Sequence, residues 1–357
     1  MLIIIILKDK LKHYGFCDQA LSLLSFYLHE RKFVVQTDDF ITSDVFSLDC
    51  GVPQGSVLGP LCFTLFINDF SNSLLHCKSL HYADDTAIFL ATSNVNNSAP
   101  HLTSDLISAN NWFSANKLTL NFEKSQFIIF SIKRLTQPPS LHINSLSLKP
   151  TDAVKYLGVT LDSVLNFNQH VSQICKKVYS ILGMLRHTGY LLPLSARKLI
   201  YNTLIPPHFT YCIVILCSTS VNSLHKLDIL LNKVCRAILL VKWNDLHIYE
   251  LYDKLNWLNL NQLVAFNLLK LGHKLVHQSQ RLTNIMPSLN TSGPNERSRR
   301  NVLNFNVPRY NTNSGCKSLT YRIVNVWNDL PLSLKEFNRP SLFKVSALTY
   351  LKQNSQL

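Results

Sequence analysis

The sequence predicts an α+β fold, with antiparallel strand pairs and helices in the first half and an almost wholly helical second half. Three observations carry this. Apolar runs rich in β-branched and aromatic residues flank turn residues at 33–48, 80–90 and 154–162, as paired strands do. Leucines recur at helical spacing over 1–32, and the same periodicity dominates from 166 onward. The chain is 357 residues long and 46% hydrophobic, enough for two or three domains with real cores.

Leu7, Leu11, Leu21, Leu24 and Leu28 carry the apolar face of the first helical stretch, and Gly15 breaks it in the middle. Residues 33–36 and 44–48 read as a hairpin. Gly51-Val52-Pro53-Gln54-Gly55-Ser56-Val57-Leu58-Gly59-Pro60 follows. Its glycines let backbone approach a ligand closely, and Pro60 suits the first turn of the apolar helix over 61–67. Alone, this is equally an ordinary loop leading into a helix.

The centre of the chain is Leu80-His81-Tyr82-Ala83-Asp84-Asp85-Thr86-Ala87-Ile88-Phe89-Leu90. It reads as a hairpin with Asp84 and Asp85 at its tip. Adjacent carboxylates repel unless a cation lies between them, and a hard divalent ion such as Mg²⁺ takes such oxygen ligands. Taken alone, the pair also fits an acidic turn without chemistry. A helix follows, with Leu102, Leu106 and Trp112 on its face, then a strand over 127–131. Next come a Pro/Ser-rich loop around a short strand (136–150) and a strand pair over 154–162, where Gly158 permits a bulge.

From Asn166, Val171, Ile174, Val178, Ile181, Leu182 and Leu185 set a helix, and further helices follow over 194–204, 223–241 and 259–276. Arg197, Lys198, Lys226, Lys233 and Arg236 fit their solvated faces. Residues 286–322 read as a basic linker containing Arg297, Arg299, Arg300, Arg309, Lys317 and Arg322, either solvated or in contact with nucleic acid. The segment over 319–331 and a helix over 342–351 close the chain. The implied domains are 1–163, 164–285 and 286–357.

Gly-Val-Pro-Gln-Gly-Ser at 51–56 followed by Tyr82-Ala83-Asp84-Asp85 resembles the two central palm motifs of reverse transcriptases. With Leu65-Phe66-Ile67-Asn68-Asp69, it looks like the non-LTR retrotransposon branch of jockey type. The resemblance implies a partial palm, an antiparallel sheet with helices over 1–163. A helical thumb-like region over 164–285 and a C-terminal tail follow. It implies RNA-directed DNA polymerisation with an RNA template, a DNA primer and deoxynucleoside triphosphates as partners. Asp84 and Asp85 would hold Mg²⁺ (or Mn²⁺) once the active site is complete. Gln54, Gly55, Ser56 and Tyr82 would contact nucleotide and template. Lys124 would stand near the leaving pyrophosphate, and Tyr156, Leu157 and Gly158 would form a primer grip. Cys217 departs from the family, which commonly has an aromatic residue nearby.

A second departure bears on activity. The family's first catalytic Asp ends a strand that precedes these helices. Residues 1–7 hold no carboxylate, and Asp9 falls within helical spacing. The expectation is a 5′-truncated, inactive copy, or else a nucleic-acid-binding remnant or a relic reading frame. If the relic's palm has an open edge, the isoleucine run at 3–6 could pair there as a substitute strand.

Lys plus Arg number 35 against 21 acids, for a formal charge of +14, which favours a polyanionic partner. Nine cysteines without a C-x-x-C pair read as reduced, mostly buried thiols in an intracellular protein, nuclear or cytoplasmic. The apolar start is far shorter than the ~20 residues a span requires. No membrane anchor, signal peptide or small-molecule cofactor is expected.

Overall fold

The computed structural model describes residues 2–38, 42–48, 51–53, 55–131, 137–143, 146–277 and 303–354. The chain forms two compact units, 1–152 and 153–357, and each is taken by itself.

In the first unit, α1 (Leu2–His13) and α2 (Asp18–Leu28) meet at a turn in which Gly15 takes φ 87°. Leu7, Leu11, Leu21 and Leu28 are buried against Cys62 and Phe66. The 3–6 run is therefore helical, not a substitute strand. It continues into Leu7 and Leu11, which the helix buries, with Ile4 and Ile6 packed against the same core. β1 (Arg31–Phe33) pairs antiparallel with β2 (Phe46–Leu48), and Phe33 stacks on Phe46 across the pair at 5.6 Å. α3 (Leu58–Ile67) carries Cys62 and Phe66.

Lys10 ties these helices together. Its Nζ donates to the Phe66 carbonyl at 2.8 Å and to the Asp69 carboxylate at 2.6 Å. It also lies over the rings of Phe66 and Trp112, at 4.8 and 4.5 Å from their centroids. A half-buried ammonium needs this many partners, because each one offsets lost hydration.

β3 (Lys78–Tyr82) and β4 (Asp85–Phe89) form the central hairpin, and α4 (Val95–Ala115) packs behind it. Phe70, Ile67, Ala109 and Phe113 make the core there. The buried face of α4 is Asp105, Ala109 and Phe113, whereas Leu102, Leu106 and Trp112 are only half-buried. The strand expected over 127–131 is a single bridge, Phe127 with Pro150. Proline has no N–H to extend a ladder, and the bond that follows runs from Thr151 N to the Phe127 carbonyl at 2.7 Å. β5 (Leu141–Ile143) and β6 (Leu146–Leu148) form the hairpin after it.

The second unit opens with β7 (Ala153–Tyr156) and β8 (Val159–Asp162). Leu157 and Gly158 connect them, both at positive φ (45° and 81°). This is a two-residue turn with the left-handed backbone hairpins favour, not a bulge. α5 (Asn168–Thr188) buries Val171, Ile174, Val178, Leu182 and Leu185, as its spacing predicts. α6 (Leu194–Leu204) and α7 (Pro206–Thr210) lead to α8 (Val221–Leu239) and α9 (Ile248–Leu255). Tyr201 stacks on Trp257 at 3.6 Å.

α10 (Leu260–His277) bridges to a second core with α11 (Leu319–Asn328) and α12 (Pro340–Gln353). Trp327, Ile323, Val324, Phe343, Ala347 and Leu351 fill that core. Lys335 is buried within this unit, its Nζ donating to Asn304 Oδ1 at 2.9 Å and to the Asn328 carbonyl at 2.8 Å.

Two arginines overturn the expectation of solvated faces. Arg197 and Arg236 are each 9% exposed. Arg197 donates to the Ile238 carbonyl near the end of α8, where the helix dipole favours a cation. Arg236 lies over the Trp243 ring at 4.3 Å. The cysteines also differ from expectation. Of the seven whose surroundings are described, Cys62, Cys77 and Cys235 are buried, Cys175 and Cys316 half-buried, and Cys17 and Cys212 exposed, all as free thiols. Arg297, Arg299 and Arg300 lie outside the described residues. Among those residues no helix is long and apolar enough to cross a membrane.

Gly272 on α10 sits under Trp327, and a Cβ there would meet the indole Cε3 at 2.8 Å. Alanine gains about 1 kcal/mol in helix propensity, but overpacking against a buried, rigid indole costs about 1–3 kcal/mol. Gly272→Ala is therefore expected to lower the denaturant midpoint of the second unit. A raised midpoint would contradict this packing.

Candidate active-site hairpin

The register of β3 and β4 decides what each side chain faces. Tyr82 pairs with Asp85, His81 with Thr86 and Leu80 with Ala87. Side chains alternate between faces along a strand. One face thus carries Ser79, His81, Thr86 and Ile88, and the other carries Leu80, Tyr82, Asp85, Ala87 and Phe89. The first face packs inward. His81 meets the edge of the Phe70 ring at 4.9 Å, and its ring nitrogens lie 3.2 Å from Thr86 Oγ1 and 3.1 Å from Ser79 Oγ. Burial lowers the His81 pKa, which keeps the ring neutral. The second face is open, with Tyr82 65% exposed. Ala83 turns the chain at φ 51°, and Asp84 sits at the tip. Both aspartates are exposed.

The hairpin is rooted by a residue the sequence reading passed over. Asp105 on α4 is 1% exposed. Its carboxylate accepts from the backbone N–H groups of Leu75, His76 and Cys77 at 3.1, 2.8 and 2.7 Å. β3 begins at the next residue. Burial alone would raise the Asp105 pKa. The amide donors and the Cys77 thiol outweigh burial and hold it below the ordinary value. Burial, and then this carboxylate, push the Cys77 thiol up to about 12. The signal was available: Asp105 lies four and eight residues before Ala109 and Phe113, on the apolar face of α4.

The glycine loop shows its own logic. Gly51 and Gly55 take φ 80° and 79° with open space beside them. Ser56 Oγ donates to the Pro53 carbonyl at 2.7 Å and accepts from Gly59 N at 3.0 Å. That hydroxyl thus folds the loop onto the start of α3. A Cβ on Gly59 would lie 2.9 Å from it, so glycine is required there for packing. Arg31 from β1 donates to the Gly51 carbonyl. Gln54 lies outside the described residues.

Lys124 is exposed in a turn, not at a strand start. Its N–H donates to Asn121 Oδ1 at 3.2 Å, and its side chain is free of ion pairs among the described residues. Tyr156, Leu157 and Gly158 belong to the other compact unit. There Tyr211 Oη donates to the Leu157 carbonyl, and a Cβ on Gly158 would meet the Tyr211 ring at 3.3 Å.

Asp84 and Asp85 suit a hard divalent cation, which takes carboxylate oxygens and leaves positions for water and phosphate. The set is one corner of such a site, however. Among the described residues no group of three His, Cys, Asp or Glu side chains stands together. Asp9, the acid nearest the start of the chain, lies within α1.

A glycine loop thus folds onto the start of a helix, and the hairpin that follows presents Asp85 on its open face with Asp84 at its tip. Residues 9–161 match the family model described as reverse transcriptase (RNA-dependent DNA polymerase). The chain is 29% identical over 251 residues to the probable RNA-directed DNA polymerase from transposon X-element of Drosophila melanogaster, covering 66% of this chain and 27% of that one. It is 27% identical over 259 residues to the RNA-directed DNA polymerase from mobile element jockey of the same fly, covering 67% and 28%. The Drosophila funebris jockey polymerase is 29% identical over 253 residues, covering 66% and 27%. No solved structure is a significant match. The reverse transcriptase match covers residues 9–161, and over about two thirds of its length the chain is homologous to the Drosophila jockey and X-element RNA-directed DNA polymerases. It spans only about a quarter of those relatives.

Asparagine at 105 offers one acceptor oxygen for three amides, of which that of Cys77 is buried. Asp105→Asn is expected to cost about 1–3 kcal/mol, the range for one orphaned buried donor. Equilibrium denaturation reads this. The wild-type carboxylate has a depressed pKa, so its contribution is present above the unfolded value and fades as pH falls through the folded value. The variant should lose that part of the acid limb, and an unchanged pH profile would remove Asp105 from this role.

Proposed function

We propose that this chain supplies the palm hairpin, the glycine loop and the nucleic-acid-facing helices of an RNA-directed DNA polymerase. Asp84 and Asp85 hold divalent metal (Mg²⁺, or Mn²⁺ in its place) beside the 3′ end of a DNA primer on an RNA template, and deoxynucleoside triphosphates are the substrates. The observation that carries the reading is the register that puts Asp85 on the open hairpin face beside Tyr82, with Asp84 at the tip, inside the stretch that matches the reverse transcriptase model. Bound metal would supply charge neutralisation at the reacting phosphate.

This chain's residues do the positioning. The Gly51 and Gly55 backbone leaves room for template and nucleotide, with Gln54 and Ser56 in the same loop. Lys124 carries a free cation for pyrophosphate. Tyr156, Leu157 and Gly158 hold the primer strand through backbone and ring contacts. The domains are a partial palm, a thumb and a basic tail. Among the described residues no third acid, His or Cys joins Asp84 and Asp85, and Asp9 lies within α1. The chain alone therefore binds template–primer without extending it. The +14 charge favours binding that weakens with salt as counterions are released.

The experiment is binding and extension on poly(rA)·oligo(dT), with Mg²⁺ and with Mn²⁺, for the wild type and for Asp84→Asn. The expected result is salt-sensitive binding with no extension. Metal-dependent extension that Asp84→Asn abolishes would overturn the incomplete site and keep the polymerase. No binding at low salt would overturn the polymerase reading itself.

A further inference from the structure

The second unit holds an open depression of about 440 Å³, lined among the described residues by Cys316, Lys317, Tyr321, Arg322 and Asn325. Its volume lies within the range of small-molecule and cofactor sites. α11 builds most of the wall. Tyr321, Arg322 and Asn325 are neighbours on one helical face, while Ile323, Val324 and Trp327 bury the other face in the core. The wall is therefore rigid. Ser318 caps the helix by accepting from Tyr321 N at 3.3 Å. The Lys317 carbonyl is held by Ser218 Oγ at 3.4 Å.

The chemistry of the wall is one-sided. Lys317 and Arg322 are half-buried, and neither has a carboxylate partner among the described residues. Residues 303–328 contain Arg309, Lys317 and Arg322 and no Asp or Glu at all. Two cations on one depression call for an anion with several oxygens, and a guanidinium favours phosphate in particular. Tyr321 adds a ring face and Asn325 an amide that can both donate and accept. A simple anion uses neither, whereas a nucleoside uses both.

We propose that this depression binds a nucleoside phosphate, separately from the palm hairpin. The phosphate lies against Lys317 and Arg322, the base against Tyr321, and Asn325 meets the base edge. The ligand is either a free nucleotide or one residue of a single strand. Cys316 gives a local reporter, because it lines the same depression.

The experiment follows alkylation of individual cysteines by N-ethylmaleimide in the full chain, using mass spectrometry. Probes are oligo(dT), oligo(rU), AMP and inorganic polyphosphate, and the exposed Cys17 thiol is the internal control. Nucleotide-bearing probes are expected to slow Cys316 at least about fivefold and to leave Cys17 unchanged. Protection by AMP identifies a free nucleotide as sufficient, and protection by oligonucleotide alone identifies a strand. Lys317→Gln with Arg322→Gln is expected to abolish the protection, while Lys254→Gln, at an exposed position on α9, keeps it. Equal melting temperatures of the variants separate lost binding from lost fold. No protection by any probe overturns the proposal. Equal protection by polyphosphate overturns it too, since the site would then be a basic patch without base recognition. These readouts do not depend on polymerase activity, so they stand or fall apart from the catalytic reading.

Discussion

A buried carboxylate that collects backbone amides holds the central hairpin of the first unit in place. A two-stranded hairpin is marginal in water by itself, and β3–β4 covers only one of its faces. Asp105 compensates by fixing the three amides that lead into β3, so the strand starts from a rigid point on α4. The second unit uses the same device. Asp162, 6% exposed, accepts from Val164, Asn166 and Phe167 N–H groups at 3.3, 2.9 and 2.6 Å. It joins β8 to α5 through two residues at positive φ, Leu165 and Phe167. In both places amide N–H groups replace the water that the buried carboxylate loses. The proposed metal-binding pair differs in kind: Asp84 and Asp85 are exposed, without such amides among the described residues, and open to a ligand.

Lys10 does for the helices what Asp105 does for the hairpin. One ammonium joins α1 to the last turn of α3 and to Trp112 of α4. The helices alone bury modest apolar surface, and Phe26 of α2 is left 85% exposed. Charge-assisted bonds at this junction, roughly 1.5–3 kcal/mol each, therefore weigh heavily against the few kcal/mol by which a small unit is stable. Placement of the Asp84–Asp85 tip thus rests on two charged contacts, neither of which takes part in the chemistry.

Much of this was legible in the sequence. The alternation in 80–90 gave the hairpin and its tip, and the 3–4 spacing of Val171, Ile174, Val178, Leu182 and Leu185 gave α5 and its buried face. Three of the misses share a cause. Asp105 was passed over, and Arg197 and Arg236 were placed with solvent, because charged side chains are mostly exposed. Each lies on a helical face that is otherwise apolar, four residues before Ala109 and Tyr201 in the first two cases, and position outranked charge. The strand at 127–131 failed for a different reason. Its residues have strand propensity, but a strand needs a partner that can donate, and Pro150 cannot. Metal ligation was the least legible feature, because the third ligand of such a site is set by tertiary placement and not by spacing.

The open face of the hairpin links stability to function. Leu80, Tyr82 and Phe89 are 54%, 65% and 44% exposed beside Asp85. An apolar surface around a carboxylate lowers the local dielectric once something covers it, and strengthens that carboxylate's pull on a cation. Left uncovered, the same surface contributes nothing to folding, and the hairpin's register must be set from behind by His81, Thr86 and Asp105. The aspartates can therefore be changed with little effect on stability, whereas Asp105 cannot. The fold separates the residues that hold the site from those that would act in it. A loss of function at Asp84 can then be read as chemistry, and a loss at Asp105 as displacement of the hairpin.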